Sequence, residues 1–477
     1  MAIDVKNTSE DPFGPLFQRS WFDRMWVIQE ATIGLPSRVF VQSGKTSIPW
    51  TRLLIASDIL QSANYSWSTS ITSLKIHLGL TIYLSVVRWP RVLEILNNNL
   101  EKYHNSPLAY AVLVFAKGKK AMDPKDKVFG LYSLFKELHV EIPKPDYNKS
   151  VEQIYREATV ASIKYDKMLD ILYHCPSDNR RSGLRSWVPD WSDPPWAEDD
   201  SRSPLPHSKF AACGPSDASW HFNDDETNLV VVGKIFDTVM YRAETMPAGK
   251  AILQASRDGN PLVSNGRQAT ELGNRFLDFT TQSFNILKEW LEVSQWSDYP
   301  TGESTKDAFK GVITMASTIE RSGSQLIDKW LDVLQASDLK IAELTADKVS
   351  PNWRQNVSPV LYETFLQRFR DQLAPNQRMF WALGEEERKI HFNSVVMTAN
   401  KCFLRTEKGY LGTAPNPTSV SVNAGDKVAV VSGMAHPMLL RPVDGGYKLL
   451  THIYLHGIMF GEAWPDNDSA LEELVLV

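Results

Sequence analysis

The first half of the chain shows the spacing of apolar positions, three to four residues apart, that is typical of amphipathic helices. Ser20 suits an N-cap, with Asp23 three residues later, and Gly34 and Pro36 end the helix that follows. Helices are predicted at about residues 20–31, 49–60, 71–88, 90–102, 106–116, 126–137 and 150–166, with a short strand at 38–42. We expect residues 71–88 to form a core helix, because charged side chains interrupt the apolar run.

The second half changes pattern twice. Residues 176–208 are rich in Ser, Pro, Asp and Trp and predict an irregular connector, whereas residues 209–245 predict strands. Helical spacing returns at 268–345 and 358–372. From Phe392 onward strands are predicted at Val395–Met397, Cys402–Leu404, Val428–Val431, Met438–Leu440 and Tyr447–Leu450.

These patterns predict an α+β protein with a mostly helical first half, a helical middle and a small C-terminal β-rich unit. We place the boundaries at residues 1–200, 201–390 and 391–477.

Composition narrows the class of protein. The 477 residues carry 51 Lys and Arg against 56 Asp and Glu, a net charge of −5 without a basic block, so nucleic acid is not expected as a partner. Three widely spaced cysteines exclude a disulfide framework and indicate a reducing compartment. The polar N-terminus predicts neither a secretory signal nor a transit peptide, and no membrane span is expected. We therefore expect a cytoplasmic protein.

The segment Arg19–Glu30 is the first candidate for chemistry. Helical spacing places Phe22, Trp26 and Glu30 on one face. A carboxylate on an aromatic face is costly to bury unless it is paired or functional. Glu30 is thus either a structural partner of Arg24 or Arg19, or a working residue.

Two further segments favour structural interpretations. In Met122–Gly130, Asp123 before a proline is typical of a helix N-cap, and Asp126 adds charge near the helix dipole. In Ser186–Ser192, Trp187 and Trp191 flank a Pro-Asp pair that suits a rigid loop, with Asp190 bonded to its own backbone. A platform on which a ligand stacks is the alternative for the two tryptophans.

Near the C-terminus, His452, Tyr454 and His456 share one face of a predicted strand, with Glu462 nearby. Their spacing matches no zinc pattern, so no metal site is expected, and no cofactor is predicted. The common hydrolase, P-loop and dinucleotide-binding motifs are also absent from the sequence.

Five segments together resemble the fungal HET (heterokaryon incompatibility) domain family. They are Arg19–Glu30, Asp123–Leu131, Pro145–Tyr147 with Ser150–Val151, Ser186–Ser192, and the run from Gly425–Asp426 through Leu440–Pro442 to His456–Glu462. The resemblance implies a role in non-self recognition that ends in growth arrest or cell death. It also implies a distant similarity to TIR domains, in which a helix-borne Glu cleaves NAD. Glu30 would correspond to that residue and stabilise an oxocarbenium-like charge.

Family members carry a longer segment, with the first strands of an α/β sheet, before the tryptophan motif. The chain begins shortly ahead of Trp21, so we expect a helical remnant of a TIR-like domain. The alternative function is an enzyme or accessory protein of secondary-metabolite biosynthesis with an aromatic pocket, and a third possibility is a non-catalytic interaction module. The expected partner is a small molecule or an incompatibility protein. Glu30 is the predicted catalytic residue; the predicted substrate-binding residues are Arg24, Trp26, Trp187, Trp191, His452, Tyr454 and His456.

Overall fold

Two compact units make up the chain, and the division between them falls after Pro195. Unit 1 comprises Met1–Pro195 with Asn223–Thr227, and unit 2 comprises Trp196–Phe222 with Asn228–Val477. The computed structural model describes residues 19–21, 23–32, 39–50, 52–53, 108–176, 178–193, 210–248, 279, 282–294, 298–315, 324–335, 385–417 and 421–477. Within these ranges, none of the helices is long and apolar enough to cross a membrane.

Helices dominate the described part of unit 1. They are α1 (Val27–Thr32), α2 (Leu108–Lys117), α3 (Asp126–Phe129), α4 (Tyr132–Glu137) and α5 (Val151–Asp166), followed by a 3-10 helix at Asp170–His174. One antiparallel hairpin joins β1 (Phe40–Ser43) to β2 (Thr46–Pro49).

Local signals in the sequence set the limits of α5. The hydroxyl of Ser150 accepts a hydrogen bond from the Gln153 amide at 3.1 Å, which caps the first turn. The helix ends at Lys167, whose φ of 54° lies in the left-handed region that stops helices. Asp166, in its last turn, accepts hydrogen bonds from the amides of Ala109 and Tyr110 and so caps α2 as well.

Unit 2 combines nine strands with four helices among its described residues. The strands are β3 (Trp220–Phe222), β4 (Leu229–Thr245), β5 (Lys401–Thr406), β6 (Leu411–Pro415), β7 (Lys427–Val431), β8 (Met438–Val443), β9 (Gly446–His452), β10 (Tyr454–Leu455) and β11 (Glu472–Leu476). The helices are α6 (282–294), α7 (Thr305–Thr314), α8 (Ser324–Gln335) and α9 (Glu385–Thr398).

Five of these strands form a closed ring. Strand β4 pairs with β7, β7 with β8, β8 with β9, β9 with β11, and β11 with β4. The contact of β11 with β9 is parallel, at Leu476 and Tyr447, whereas the other pairs are antiparallel. The C-terminal half of β4 leaves the ring and pairs with β5, which continues through β6 to β10. Strand β4 is therefore the element that belongs to both parts of the sheet.

Apolar side chains fill the ring and the layer between its extension and the helices. Inside the ring, Val428, Leu439 and Leu450 share one buried cluster. On the helical side, the Trp290 ring of α6 stacks on Phe403 of β5 with centroids 5.4 Å apart. Burial of this kind supplies most of the favourable free energy of such a layer.

The structure confirms the α+β class, the predicted helices at 106–116 and 150–166, and the C-terminal strands. The strand predicted at Val395–Met397 is wrong, because these residues lie in α9. The predicted first helix begins at Val27 instead of Ser20, and the helix predicted at 126–137 is divided into α3 and α4. The helices predicted at 71–88, 90–102 and 358–372 lie outside the described residues.

The predicted boundaries at residues 200 and 390 stay a prediction. Strands β3 and β4, from the predicted middle region, pair with strands of the predicted C-terminal unit. The similarity to TIR domains also stays a prediction.

Candidate functional site

The segment that leads into α1 lies beside residues 119–122. The Met25 amide donates to the Lys120 carbonyl at 2.9 Å, and the Lys120 amide donates to the Asp23 carbonyl at 2.5 Å. These bonds form a parallel bridge between Arg24 and Lys120. The Lys120 ammonium also reaches the Asp23 carboxylate at 3.1 Å. Two motifs that are about a hundred residues apart in sequence therefore meet through their backbones.

Gly130 lets α1 and α3 approach closely. A Cβ atom at this position would lie 2.8 Å from Met25 Cγ and 2.7 Å from the Asp126 carbonyl oxygen. The Gln29 side chain donates to the Phe129 carbonyl at 3.4 Å across the same contact. The glycine is required here for space, since its φ of −63° is open to any residue.

The Pro145–Tyr147 motif packs on the other side of α3. The Tyr147 hydroxyl donates to Asp126 Oδ1 at 2.6 Å, and Lys125 Nζ donates to the Tyr147 carbonyl at 2.6 Å. The Tyr147 ring meets the edge of the Phe129 ring with centroids 4.9 Å apart. The hydrogen bond to the Asp126 carboxylate raises the pKa of Tyr147 to about 12.

The Ser186–Ser192 motif forms a buried loop held by Asp190. This carboxylate accepts hydrogen bonds from the amides of Arg181 at 2.7 Å and Ser192 at 2.9 Å. The predicted bond of Asp190 to its own backbone is confirmed. The bond from the Arg181 amide also joins residues 181 and 190, which are nine positions apart. Burial raises the pKa of Asp190, but the hydrogen bond from the Ser192 hydroxyl and these two backbone bonds together bring it below its usual value. Trp187 and Trp191 lie in the core, at 0% and 1% exposure.

Buried cations hold the neighbouring backbone. Lys127 Nζ donates to the carbonyls of Lys117, at 2.9 Å, and Lys119. The Arg180 guanidinium donates to the carbonyls of Cys175 and Val188, each at 2.9 Å. Burial, with the neighbouring Lys117 charge, lowers the pKa of Lys127 to about 8. We call the residues 23–29, 119–130, 145–147 and 180–192 the motif cluster; most of its side chains support the fold.

Three of the predicted site residues remain at the surface of the motif cluster and its adjoining helix. Arg24 and Glu30 are exposed, and Trp26 is 39% exposed. The Glu30 amide donates to the Trp26 carbonyl at 3.1 Å, so the two side chains are one helical turn apart. The catalytic role of Glu30 and the ligand-binding roles of Trp187 and Trp191 stay predictions; the burial of both tryptophans agrees with the rigid-loop interpretation.

In unit 2, His456 lies between a carboxylate and a phenol. Its Nε2 is 3.0 Å from Glu303 Oε1, and its Nδ1 is 3.0 Å from the Tyr454 hydroxyl. Tyr454 is 3% exposed, whereas the side chains of His456 and Glu303 are 18% and 33% exposed. The arrangement can pass a proton along the three groups, but its phenol end is buried in the core.

Two neighbours fix His456 in place. The Tyr299 hydroxyl donates to the His456 carbonyl at 2.7 Å and accepts from the Leu411 amide at 3.3 Å. A Cβ at Gly311 of α7 would lie 2.3 Å from the imidazole ring. Sequence reasoning found His456 and Tyr454 but missed Glu303 and Tyr299, because more than 150 residues separate them from His456.

Comparison with known proteins shows two similarities. Residues 372–472 match the model of the Het-6 beta-barrel domain. Heterokaryon incompatibility protein 6, OR allele, of Neurospora crassa is 23% identical to the chain over 95% of the chain. Both matches support the resemblance of the chain to fungal HET proteins. It spans 66% of the length of the Neurospora protein. No solved structure matches it.

The region that matches the barrel domain contains α9 and the strands from β5 to β10. It also contains an ion pair between Arg441 and Asp426, with Nε to Oδ1 at 2.7 Å and Nη2 to Oδ2 at 2.9 Å. Asp426 is 2% exposed. Strand β4, which precedes the matched range, and β11, of which only Glu472 lies within it, complete the ring.

The other histidine of the predicted C-terminal site, His452, is buried beside His436, with ring centroids 5.6 Å apart. Burial, with the Lys401 charge, lowers the pKa of His436 to about 4, which favours a neutral ring. In the described ranges, no group of three or more His, Cys, Asp or Glu side chains could hold a metal ion.

A polar cleft of about 240 Å³ lies in unit 1, at the start of α5. It is lined by Ser150, Glu152, Gln153, Arg156, Gly183 and Arg185. None of the residues predicted to bind substrate lines it. Glu152 offsets one of the two arginine charges in this lining.

Proposed function

We propose that this HET protein acts in heterokaryon incompatibility as an interaction module, which recognises a partner incompatibility protein and thereby triggers growth arrest and cell death. One observation carries the proposal. The motif cluster uses its buried polar groups to support the fold and leaves Arg24 and Trp26 exposed, and Glu30 of the adjoining helix α1 is exposed as well. The similarity to heterokaryon incompatibility protein 6 supports the biological setting.

The exposed residues favour recognition of a macromolecule. Trp and Arg are the residue types that contribute most to binding at protein interfaces. A small substrate would instead need a concave site that covers most of its surface. Trp26 is open to solvent, and the described cleft lies at other residues. We place the protein in the cytoplasm, where an incompatibility partner would be met.

The experiment is expression of the chain from an inducible promoter in Neurospora crassa. One strain carries the OR allele of heterokaryon incompatibility protein 6, and a second lacks that gene. We expect slowed growth and uptake of a vital dye in at least one strain. Lys136→Glu, which reverses an exposed charge on α4, is the control and should behave like the wild type. Normal growth of both strains at equal protein level would contradict the proposal.

A further inference from the structure

The polar cleft of unit 1 lies between the start of α5 and the loop of residues 180–190, and its volume is about 240 Å³. Ser150, Glu152 and Arg156 contribute to the wall on α5. Arg185 brings a second guanidinium group from the loop. Sites for drug-sized ligands occupy about 300–1,000 Å³, so this cleft suits a smaller molecule. Its polar lining would bind such a molecule through hydrogen bonds and charge.

The loop wall of the cleft is held in place through its backbone. The Arg185 carbonyl accepts hydrogen bonds from the Val188 amide at 2.9 Å and from the Arg180 guanidinium. Gly183 has a φ of 89°, and a Cβ atom at this position would lie 3.6 Å from Glu152 Cγ, which is a van der Waals distance. The loop therefore lies against α5, and the Arg185 side chain is not used to hold it there. Walls that are already ordered lower the entropic cost of binding.

The two arginines of the cleft keep their hydrogen-bonding capacity for a ligand. Within the part of the chain that the structure describes, the guanidinium groups of Arg156 and Arg185 form neither a hydrogen bond nor an ion pair. Glu152 precedes Arg156 by four positions, a spacing at which such side chains commonly pair, yet these two do not. The next carboxylate of α5, Glu157, is paired with Lys149 at 2.7 Å and does not compete for the arginines.

Two guanidinium groups and a hydroxyl are suited to a phosphate group. A guanidinium group binds phosphate oxygens through parallel, charge-assisted hydrogen bonds. The Ser150 hydroxyl accepts a hydrogen bond from the Gln153 amide at 3.1 Å, so its own proton can be donated to a ligand. Because the first turn of α5 is capped in this way, the attraction for an anion comes mainly from the arginines.

Glu152 adds a requirement that a bare phosphate ion does not meet. Its carboxylate leaves the lining with one net positive charge, and it accepts hydrogen bonds without donating any. A ligand that carries a phosphate at one end and hydroxyl groups at the other satisfies both the arginines and this carboxylate.

We propose that the cleft binds a small organic phosphate that carries hydroxyl groups, such as a sugar monophosphate. The phosphate lies between Arg156 and Arg185 and accepts a hydrogen bond from Ser150, and a ligand hydroxyl donates to Glu152. This binding site is independent of the proposed function, because none of the exposed residues named there lines the cleft.

Isothermal titration calorimetry of the purified full chain tests the site with three probes: ribose 5-phosphate, inorganic phosphate and ribose. We expect ribose 5-phosphate to bind most tightly and inorganic phosphate more weakly, whereas ribose alone should not bind. Because charge contributes to the affinity, the Kd for ribose 5-phosphate should rise with salt concentration.

Three substitutions assign the contacts. Arg156→Gln and Arg185→Gln should each raise the Kd for ribose 5-phosphate by about tenfold, because each removes charge-assisted hydrogen bonds. Glu152→Ala should bind inorganic phosphate more tightly, since a repelling charge is lost, and should lose most of the preference for ribose 5-phosphate. The control is Lys136→Gln, which removes an exposed charge on α4 and should keep the wild-type Kd. Circular dichroism should show that all four variants are folded.

Three results would overturn the proposal. The first is that ribose 5-phosphate shows no saturable binding, or binds the wild type and both arginine variants equally. The second is equal affinity of the wild type for ribose 5-phosphate and inorganic phosphate, which would remove the role of Glu152. The third is tighter binding of a phosphoserine peptide than of ribose 5-phosphate, which would make a partner protein the ligand.

Discussion

Replacing Arg441 by alanine removes the cation that faces a buried carboxylate in the barrel. Asp426 is 2% exposed and accepts two bonds from the Arg441 guanidinium, at 2.7 and 2.9 Å, and a third from the Asn423 amide at 2.8 Å. Arg441 Nη2 also donates to the Ser421 carbonyl at 2.7 Å. The ion pair thus joins the turn before β7 to the middle of β8.

The expected loss of unfolding free energy follows from this geometry. Breaking a buried ion pair by removing one partner costs about 3–5 kcal/mol, because the other charge stays buried without compensation. The Arg441 side chain is 29% exposed, so its removal lets water approach the carboxylate. We therefore expect the low end, about 3 kcal/mol.

Urea unfolding of the full chain, followed by tryptophan fluorescence, measures the loss. The companion variants are Asp426→Asn with Arg441→Met, which replaces both charges by neutral groups of similar size, and Asp444→Asn at an exposed position. The double variant should lose less than Arg441→Ala, since no charge is left buried. A loss below about 1 kcal/mol for Arg441→Ala, the size expected of a surface pair, would refute the reasoning.

Three further predictions concern unit 1. Trp187→Ala and Trp191→Ala should each cost about 3–5 kcal/mol in urea unfolding, because both rings are fully buried, and a cost near zero would contradict the buried loop. Burial, with the neighbouring Asp166 charge, raises the pKa of Asp170 from 3.8 to about 6. The folded state therefore binds this proton more tightly than the unfolded state, and up to about 3 kcal/mol of unfolding free energy should be lost as pH rises from 4 to 6. Asp170→Asn should remove this pH dependence of the unfolding free energy. An unchanged pH dependence in the variant would contradict the role of Asp170. Glu30→Gln should keep the wild-type melting temperature, since the side chain is exposed, and should abolish any release of nicotinamide from NAD; an unfolded variant would instead make Glu30 a structural residue.

Features that depend on neighbours in sequence could be predicted. The limits of α5 follow from a serine cap and helical spacing, and Asp190 bonds to Ser192 two residues away. The strands near the C-terminus follow from short apolar runs separated by turn residues, such as Val428–Val431 in β7. In each of these cases the stabilising contact lies within a few residues of the signal.

Features that depend on distant residues could not be predicted. Val395–Met397 has strand-forming residues, yet it lies in α9, where Val395 and His391 are fully buried among core residues. Tertiary packing has overridden a weak local preference. The first helix begins at Val27 because residues 23–25 are bonded to Lys120, almost a hundred positions away. The partner of His456, Glu303, is equally remote in sequence.

The same separation of local and distant contacts explains what the residues of the motif cluster do in unit 1. Gly130, Asp190 and Lys127 have lost contact with solvent, and each is used by a specific partner in the fold. Changes at these positions alter stability first, so a lost cellular response would not show that they contact a partner. Arg24 and Trp26 carry exposed side chains on a rigid support, and changes there should leave the free energy of unfolding nearly unchanged. A variant of either that keeps its stability and loses the incompatibility response would therefore assign recognition to this surface of the motif cluster.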